Sequence, residues 1–323
     1  MAGATMKSIR VVGGAPTLEQ GEFVLRDGDV RVKVAAVGIC GSDLHLLDAG
    51  WAEGRVLGHE ISGHLDDGRA VAIEPFRSCG HCATCADGDR HACENGAEVM
   101  GIMADGGMAQ YMSVPTDALV PLAGGVDVGH ASLVENLAVA VHGLNRARLV
   151  GGDTVAVIGA GPIGLALVAA LRRAGFAVSI AARHEHQRVA AERLGAAVID
   201  DTSGEAAGFD VVFDAVGNTN SIKESVRRVT RAGRICMVGS FWDPVEIDVG
   251  LLMQEAELIP AMMYGRTPSG REIDGAAALL AELPHLGDTM ITHRFPLDGA
   301  GDAFAAARDR ASGAIKVVFE PHG

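Results

Sequence analysis

The chain has 323 residues, 48% of them hydrophobic, and its 27 basic against 41 acidic residues leave a net charge of −14 at pH 7. That length is enough for two domains or one large α/β unit, and the apolar content argues against disorder. The acidic balance argues against a general binder of nucleic acid or of an anionic membrane.

The opening "MAGATMKSIRVV" lacks the charged start and long apolar core of a secretory signal. A reducing cytoplasm is therefore expected, with the six cysteines unpaired. Residues 1–5 carry no structural weight. From there to Gly124, segments such as "DVRVKVAAVGIC" and "GRAVAIEP" are short, alternating and punctuated by Gly and Pro, which predicts antiparallel strands in a barrel-like domain.

Within that domain "CGSDLH" supplies Cys40, Ser42, Asp43 and His45, and "GHE" supplies His59 and Glu60. Alone, Cys40 reads as a small buried hydrophobe and His59 as a loop histidine. Together with Glu60 they offer sulfur, nitrogen and oxygen, the mixture that catalytic zinc uses when one position stays open.

Next comes "CGHCATCADGDRHAC", in which Cys79, Cys82, Cys85 and Cys93 are spaced C-x2-C-x2-C-x7-C. Four thiolates so close in sequence can surround one tetrahedral zinc and leave no position for substrate, so the expected role is structural. Four exposed reduced thiols would be a redox liability. A nucleic-acid zinc ribbon would need a paired arrangement and basic surroundings that this stretch lacks.

From Asp153 the pattern turns regular, and the expected elements are strand 154–158, helix 162–174, strand 177–181, helix 185–194 and short strand 197–199. Strand 209–215, helix 221–230 and strand 233–239 follow. Short apolar strands alternating with helices predict a parallel sheet covered on both faces. The uncharged run "TVAVIGAGPIGLALVAAL" just reaches membrane-span length, but Gly159-Ala160-Gly161-Pro162 breaks it into a strand and a helix.

Gly159, Gly161 and Gly164, with Pro162 and Ile163 between them, form a G-x-G-x-x-G turn between that strand and that helix. Alone the pattern describes any tight turn; set among repeated strand–helix units it predicts a dinucleotide site with the pyrophosphate at the helix N-terminus. At the end of the second strand, "AVSIAARHEHQR" places Arg183, His184 and Arg188, with no acid before Glu185. A guanidinium pairs with a 2′-phosphate that a carboxylate would repel, so NADP is expected over NAD. An arginine stacked on adenine would leave NAD possible. The tail from Gly265 mixes helices ("GAAALLAEL", "GAGDAFAAARD") with a final strand ("AIKVVFE") that is expected to return to the first domain.

The ordered set "CGSDLH", "GHE", "CGHCATC…C", "VENLAVAVHGL" and "GAGPIG" resembles the zinc-containing medium-chain alcohol and polyol dehydrogenase family over nearly the whole chain. The resemblance implies a chaperonin-10-like β-barrel catalytic domain of residues 1–136 and 265–323, with a structural-zinc lobe at about 76–96. It implies a doubly wound Rossmann domain of residues 137–264, with the active site in the cleft between the two. Cys40 and His59 become ligands of a catalytic zinc. Glu60 matches a direct ligand of polyol-type members and a nearby, exchanging one of others. Glu135 stands where alcohol-type members often carry a third cysteine and polyol-type members a glutamate.

By the same resemblance Asp43 is the buried acid beside the cysteine ligand, and Ser42 and His45 form a proton relay through the cofactor ribose. Two zincs per chain, a small alcohol or ketone substrate, and a homodimer or homotetramer follow as expectations. The run "LIPAMMY", residues 258–264, matches the edge strand by which such proteins extend their sheets across a dimer. The stretches from His45 to Gly58 and from His59 to Cys79 are shorter than the family's, which trims loops that wall the substrate. A non-catalytic dinucleotide sensor and a zinc-free reductase of the same superfamily are the competing readings, and neither needs the open donor set of Cys40, His59, Glu60 and Glu135.

Overall fold

The computed structural model describes residues 5–199, 208–309 and 311–323; residues 1–4 of the leading segment lie outside these. The chain divides into two compact units, Met1–Glu135 with Gly265–Gly323, and Asn136–Tyr264.

In the first unit the strand Asp29–Gly38 is the hub. Val32, Val34 and Val37 point into a core shared with Ile61, Val71, Ile73 and Phe319. The sheet runs in the order Ile291–Phe295, Lys316–Phe319, Asp29–Gly38, Glu60–Leu65, Ala70–Ile73, Leu119–Pro121, and Tyr111–Pro115 also pairs with the hub strand. Every neighbour along it is antiparallel except Ile291–Phe295 with Lys316–Phe319, which are parallel and connected through the helix Ala300–Arg308. The tail thus returns to this sheet, and its register sets Val318 opposite Gly38 while Gly38 faces Glu60 on the other side.

The hairpin of Phe76–Arg77 with Glu98–Val99 closes a lobe that carries the four clustered cysteines. One buried carboxylate ties the lobe down. Glu74 Oε2 accepts from Arg90 of the lobe at 3.3 Å and from Arg271 of the returning chain at 3.2 Å. Arg90 also donates to Phe76 O at 2.8 Å, to Asp117 at 3.0 Å and to Ser78 Oγ at 3.1 Å, so each nitrogen of a buried guanidinium has a partner.

The second unit is a six-stranded parallel sheet in the order Ala197–Val198, Val178–Ala181, Val155–Ile158, Phe209–Asp214, Val229–Met237, Glu257–Pro260. Numbered along the chain this is 3-2-1-4-5-6, the doubly wound order that places a ligand crevice at the carboxyl ends of the central strands. The apolar run splits as expected into the buried strand Val155–Ile158 and the helix Pro162–Arg173. Among the described residues no helix is long and apolar enough to cross a membrane.

Most boundaries fall within a residue of the sequence expectation, and the larger differences have local reasons. The helix Thr219–Arg228 starts two residues early because the Asn218 side chain accepts from Ser221 N at 3.0 Å and caps it there. The strand Val229–Met237 also starts early. Val229 faces Phe209 but Arg234 faces Val211, so residues 230–233 loop out, with Ala232 at φ 57°. The strand Glu257–Pro260 stops short of residues 261–264, since Pro260 lacks an N–H and Met263 turns at φ 58°.

The Glu74 junction generates a stability prediction. Glu74→Gln should leave Arg90 buried without its main counter-charge and destabilise the first unit by about 3 kcal/mol. Urea unfolding of the variant checks this, and a loss below about 1 kcal/mol, the scale of a surface pair, would show that Asp117 and the main-chain carbonyls suffice.

Candidate active site and metal centres

Cys40 leaves the hub strand and N-caps the helix Gly41–Asp48, which carries Ser42, Asp43 and His45 on its first turn and the next. The cap is held by Asp43, whose Oδ2 accepts the Cys40 N–H at 2.8 Å. His59 immediately precedes the strand Glu60–Leu65. Its Nδ1 lies 3.6 Å from Asp43 Oδ1, and its Nε2 lies 3.5 Å from Ser42 Oγ. The sulfur of Cys40, a ring nitrogen of His59 and a carboxylate oxygen of Glu60 all fall within 4.8 Å of one another.

Electrostatics in this dry cluster are paired. Burial opposes the His59 imidazolium, but Asp43 and Cys40 outweigh it and hold the group well above the ordinary histidine range. Glu60 is fully buried, and both of its oxygens accept from Lys316 Nζ, at 2.6 and 2.7 Å. Burial likewise opposes the Lys316 ammonium, and Glu60 and Cys40 raise it instead.

Lys316 was not singled out in the sequence. The available signal was one cation inside the apolar run "AIKVVFE", where a strand buried on both faces tolerates a charge only if it is paired.

Glu135 sits in the first turn of the helix Leu133–Ala147 and is half-buried. Burial raises its carboxyl, His59 opposes and Glu60 adds to the rise, so that it is pushed up to about 7. It is not part of the 4.8 Å set formed by the other three donors. His45 is exposed, one turn along the helix from Ser42.

The four cysteines of the lobe are all free thiols with ligand atoms within 4.8 Å of one another. Cys79 Sγ lies 3.9 Å from Cys85 Sγ, and Cys82 Sγ 3.9 Å from Cys93 Sγ. Hydrogen bonds from the His81 backbone, from Asn95 and from the Cys82 N–H lower the Cys79 thiol to about 5, while burial pushes Cys85 up to about 11.

Both donor sets fit zinc. The lobe presents four sulfurs with N–H donors already aimed at one of them. In the other cluster Asp43 Oδ1 and His59 Nδ1 are buried 3.6 Å apart, an ion-pair distance at which neither atom has a hydrogen-bond partner. That is how a carboxylate orients an imidazole whose second nitrogen is meant for a metal.

In the second unit Gly159 turns at φ 97°, and a Cβ there would meet Val216 at 2.4 Å. A Cβ on Gly164 would lie 1.8 Å from Gly159 O, so the helix packs directly on the turn. Gly161 is the N-cap, with nothing within 4 Å of its missing side chain, and Pro162 and Ile163 follow in the first turn. The turn is therefore a cradle open to a phosphate at a helix N-terminus.

Asp214, also not singled out in the sequence, ends the adjacent strand and accepts from Val216 N, Gly217 N and Ser221 Oγ at 2.9, 3.2 and 2.9 Å, fixing the neighbouring loop. Arg183 is exposed just past the strand Val178–Ala181. His184 caps the helix Glu185–Arg193 and stacks on His186 with centroids 5.5 Å apart, and Arg188 is half-buried in the first turn.

Residues 26–124 match the model of the alcohol dehydrogenase GroES-like domain, and residues 129–320 match that of the glucose dehydrogenase C-terminus. The L-galactonate-5-dehydrogenase of Escherichia coli K12 is 32% identical over 84% of this chain and 85% of its own. An alcohol dehydrogenase from Escherichia coli CFT073 complexed with NADH superposes with a TM-score of 0.85 at 27% identity, covering 98% of this chain and 100% of that one. An NADP-bound structure from Sinorhizobium meliloti 1021 gives 0.86 at 30% identity, with the same coverage of 98% and 100%. A chaperonin-10-like domain with a thiol lobe, a doubly wound dinucleotide unit and these matches along nearly the full length agree: the chain belongs to the zinc-containing medium-chain alcohol and polyol dehydrogenase family.

Proposed function

We propose that the protein is a zinc-dependent, NADP-preferring dehydrogenase that interconverts a secondary alcohol and a ketone on a polyol, sugar or similar small polar molecule. The observation that carries this reading is the buried set of Cys40, His59 and Glu60 within 4.8 Å, backed by Asp43 and Lys316. A non-catalytic dinucleotide sensor has no use for such a set. The relative named for L-galactonate supports a polyhydroxylated substrate.

Cys40 and His59, with Glu60 and Glu135 close by, would hold the catalytic zinc, and Cys79, Cys82, Cys85 and Cys93 the structural one. When bound, the catalytic zinc supplies Lewis acidity that makes an alcohol hydroxyl easier to deprotonate. Asp43 fixes the His59 ring. Ser42 Oγ, 3.5 Å from His59 Nε2, accepts the departing proton, and exposed His45 on the next helical turn passes it to solvent. The glycine turn Gly159–Gly164 would hold the cofactor pyrophosphate at the helix N-terminus, and the nicotinamide, when bound, would supply the hydride acceptor for oxidation of an alcohol to a ketone. Arg183 and Arg188, with His184 at the helix cap, surround the position where a 2′-phosphate is read.

A homodimer follows from the free edge of the strand Glu257–Pro260. The helix Val249–Gln254, which precedes it in the chain and packs on the strand Val229–Met237, exposes Val249, Leu252 and Met253 at 67%, 74% and 71%, and Met262 is 68% exposed. A second copy pairing edge to edge would cover them.

Metal analysis should return two zincs per chain. Cys40→Ala should remove one of them and lower turnover on a polyol panel by at least about 100-fold, since even changes behind a ligand cost about 10- to 100-fold. A variant that keeps both zincs and full turnover would remove the catalytic reading.

For the cofactor, kcat/KM should favour NADP over NAD. Arg183→Asp should lower that ratio by about 10- to 100-fold, the worth of one or two charge-assisted hydrogen bonds. An unchanged ratio, or a wild-type preference for NAD, would reject the role of Arg183.

Leu252→Glu should shift the protein from dimer toward monomer in light scattering. A wild type that is monomeric at micromolar concentration would refute the edge-strand dimer.

A further inference from the structure

We propose that Asp214 is a positioning residue for the nicotinamide half of the dinucleotide, holding two loops of the second unit in the shape that this half of the cofactor needs. The inference rests on the reading of the glycine turn as a dinucleotide site.

A doubly wound sheet has two mononucleotide-binding halves, and Arg183, just past the second strand, belongs to the half that takes the adenosine. The other half is formed by the strands Phe209–Asp214, Val229–Met237 and Glu257–Pro260. Asp214 ends the first of these. It stands opposite Ile158, the last residue of the strand that leads into the glycine turn.

Side chain and main chain of Asp214 hold different loops. Oδ1 accepts from Val216 N at 2.9 Å and from Gly217 N at 3.2 Å, and Oδ2 accepts from Ser221 Oγ at 2.9 Å. The main-chain oxygen accepts from Val238 N at 2.9 Å and from Gly239 N at 2.8 Å, where the next strand ends. The two loops also pack backbone to backbone. A Cβ on Gly239 would lie 2.5 Å from Gly217 N, and one on Gly217 would lie 2.5 Å from Ser240 O.

What this anchoring presents is Val216. Its side chain is exposed and lies over the glycine turn, where a Cβ on Gly159 would meet it at 2.4 Å. Val216 is thus a wall between the cradle for the pyrophosphate and the strands of the nicotinamide half. A shift of its loop reshapes that wall and leaves the adenosine half as it is.

Asp214 is fully buried, its three side-chain donors are all neutral, and burial raises its carboxyl against them. Such a group is costly to keep for packing alone. Asparagine, nearly the same shape, keeps Oδ1 on the two main-chain N–H groups. Its amide then donates to Ser221 Oγ, whose own hydrogen turns to Asn218 O at 3.0 Å. Alanine leaves all three donors unsatisfied.

The test measures binding to the full-length protein by calorimetry. NADPH and NADH are both titrated and the tighter is kept, with its adenosine fragment, adenosine 2′,5′-bisphosphate or AMP, as the second probe. Asp214→Ala should raise the Kd of the reduced cofactor by about tenfold and that of the fragment by less than about twofold. Asp214→Asn should keep both within about twofold of wild type. General damage to the unit would weaken both ligands together.

A folded Asp214→Ala protein that binds the reduced cofactor as wild type does, or that loses both ligands equally, would overturn the inference. So would an Asp214→Asn protein that behaves like Asp214→Ala. If Asp214→Ala does not fold, Ser221→Ala, which removes the donor to Oδ2, decides: a loss confined to the reduced cofactor supports the inference, and an equal loss or none overturns it. A wild type that binds neither NADPH nor NADH would sink the dinucleotide reading and this inference together, whereas normal wild-type binding with unselective variants would sink this inference only.

Discussion

A carboxylate with no access to water must be given a cation, and the architecture of the first unit follows from meeting that demand at Glu60. The side chain belongs to the second strand of the sheet, its notch to Gly38 on the hub strand and its counter-ion to the last strand of the chain. The two charges are 256 residues apart in sequence. The returning tail thus completes the site chemically as well as covering the sheet. Because Val318 is held opposite Gly38, a slip of the last strand by one residue would turn Lys316 to the other face and break its ion pair with Glu60.

What was legible in the sequence was whatever chemistry is local. The C-x2-C-x2-C-x7-C spacing brings the four sulfurs within 4.8 Å with little help from the rest of the fold, and the glycine turn follows from three missing side chains in six residues. The alternating strands and helices of the second unit were readable because each buried strand is a short apolar run set off by turn residues. Lys316, Asp214 and Arg90 were not legible as participants, since a lone charge in a strand or loop announces nothing until its partner is placed. The early start at Val229 was missed for a related reason. Residues 230–233 loop out because strand register, set by Phe209 and Val211, overrides the local pattern.

The two candidate metal-donor sets pose opposite electrostatic problems and meet them with different atoms. Four thiolates around one divalent cation leave an excess of negative charge. The lobe is equipped to offset such an excess with backbone and Asn95 N–H groups at Cys79 and with a position near solvent, where Cys79 and Cys85 are only half-buried. The Cys40–His59–Glu60 set sits deeper. His59 and Glu60 are buried, and Asp43 and Glu60 bring carboxylates into a space with little solvent. Here each acid is assigned to a partner: Asp43 to the His59 ring and the Cys40 amide, Glu60 to Lys316.

That assignment explains why Glu135 behaves differently from its neighbours. It faces the same buried group of charges, and burial and the nearby Glu60 push its carboxyl up to about 7 against the opposing pull of His59 and Lys316. A buried carboxyl raised in this way can change protonation more readily than one paired with an ammonium, so binding of a cation to this cluster would be coupled to the charge on Glu135.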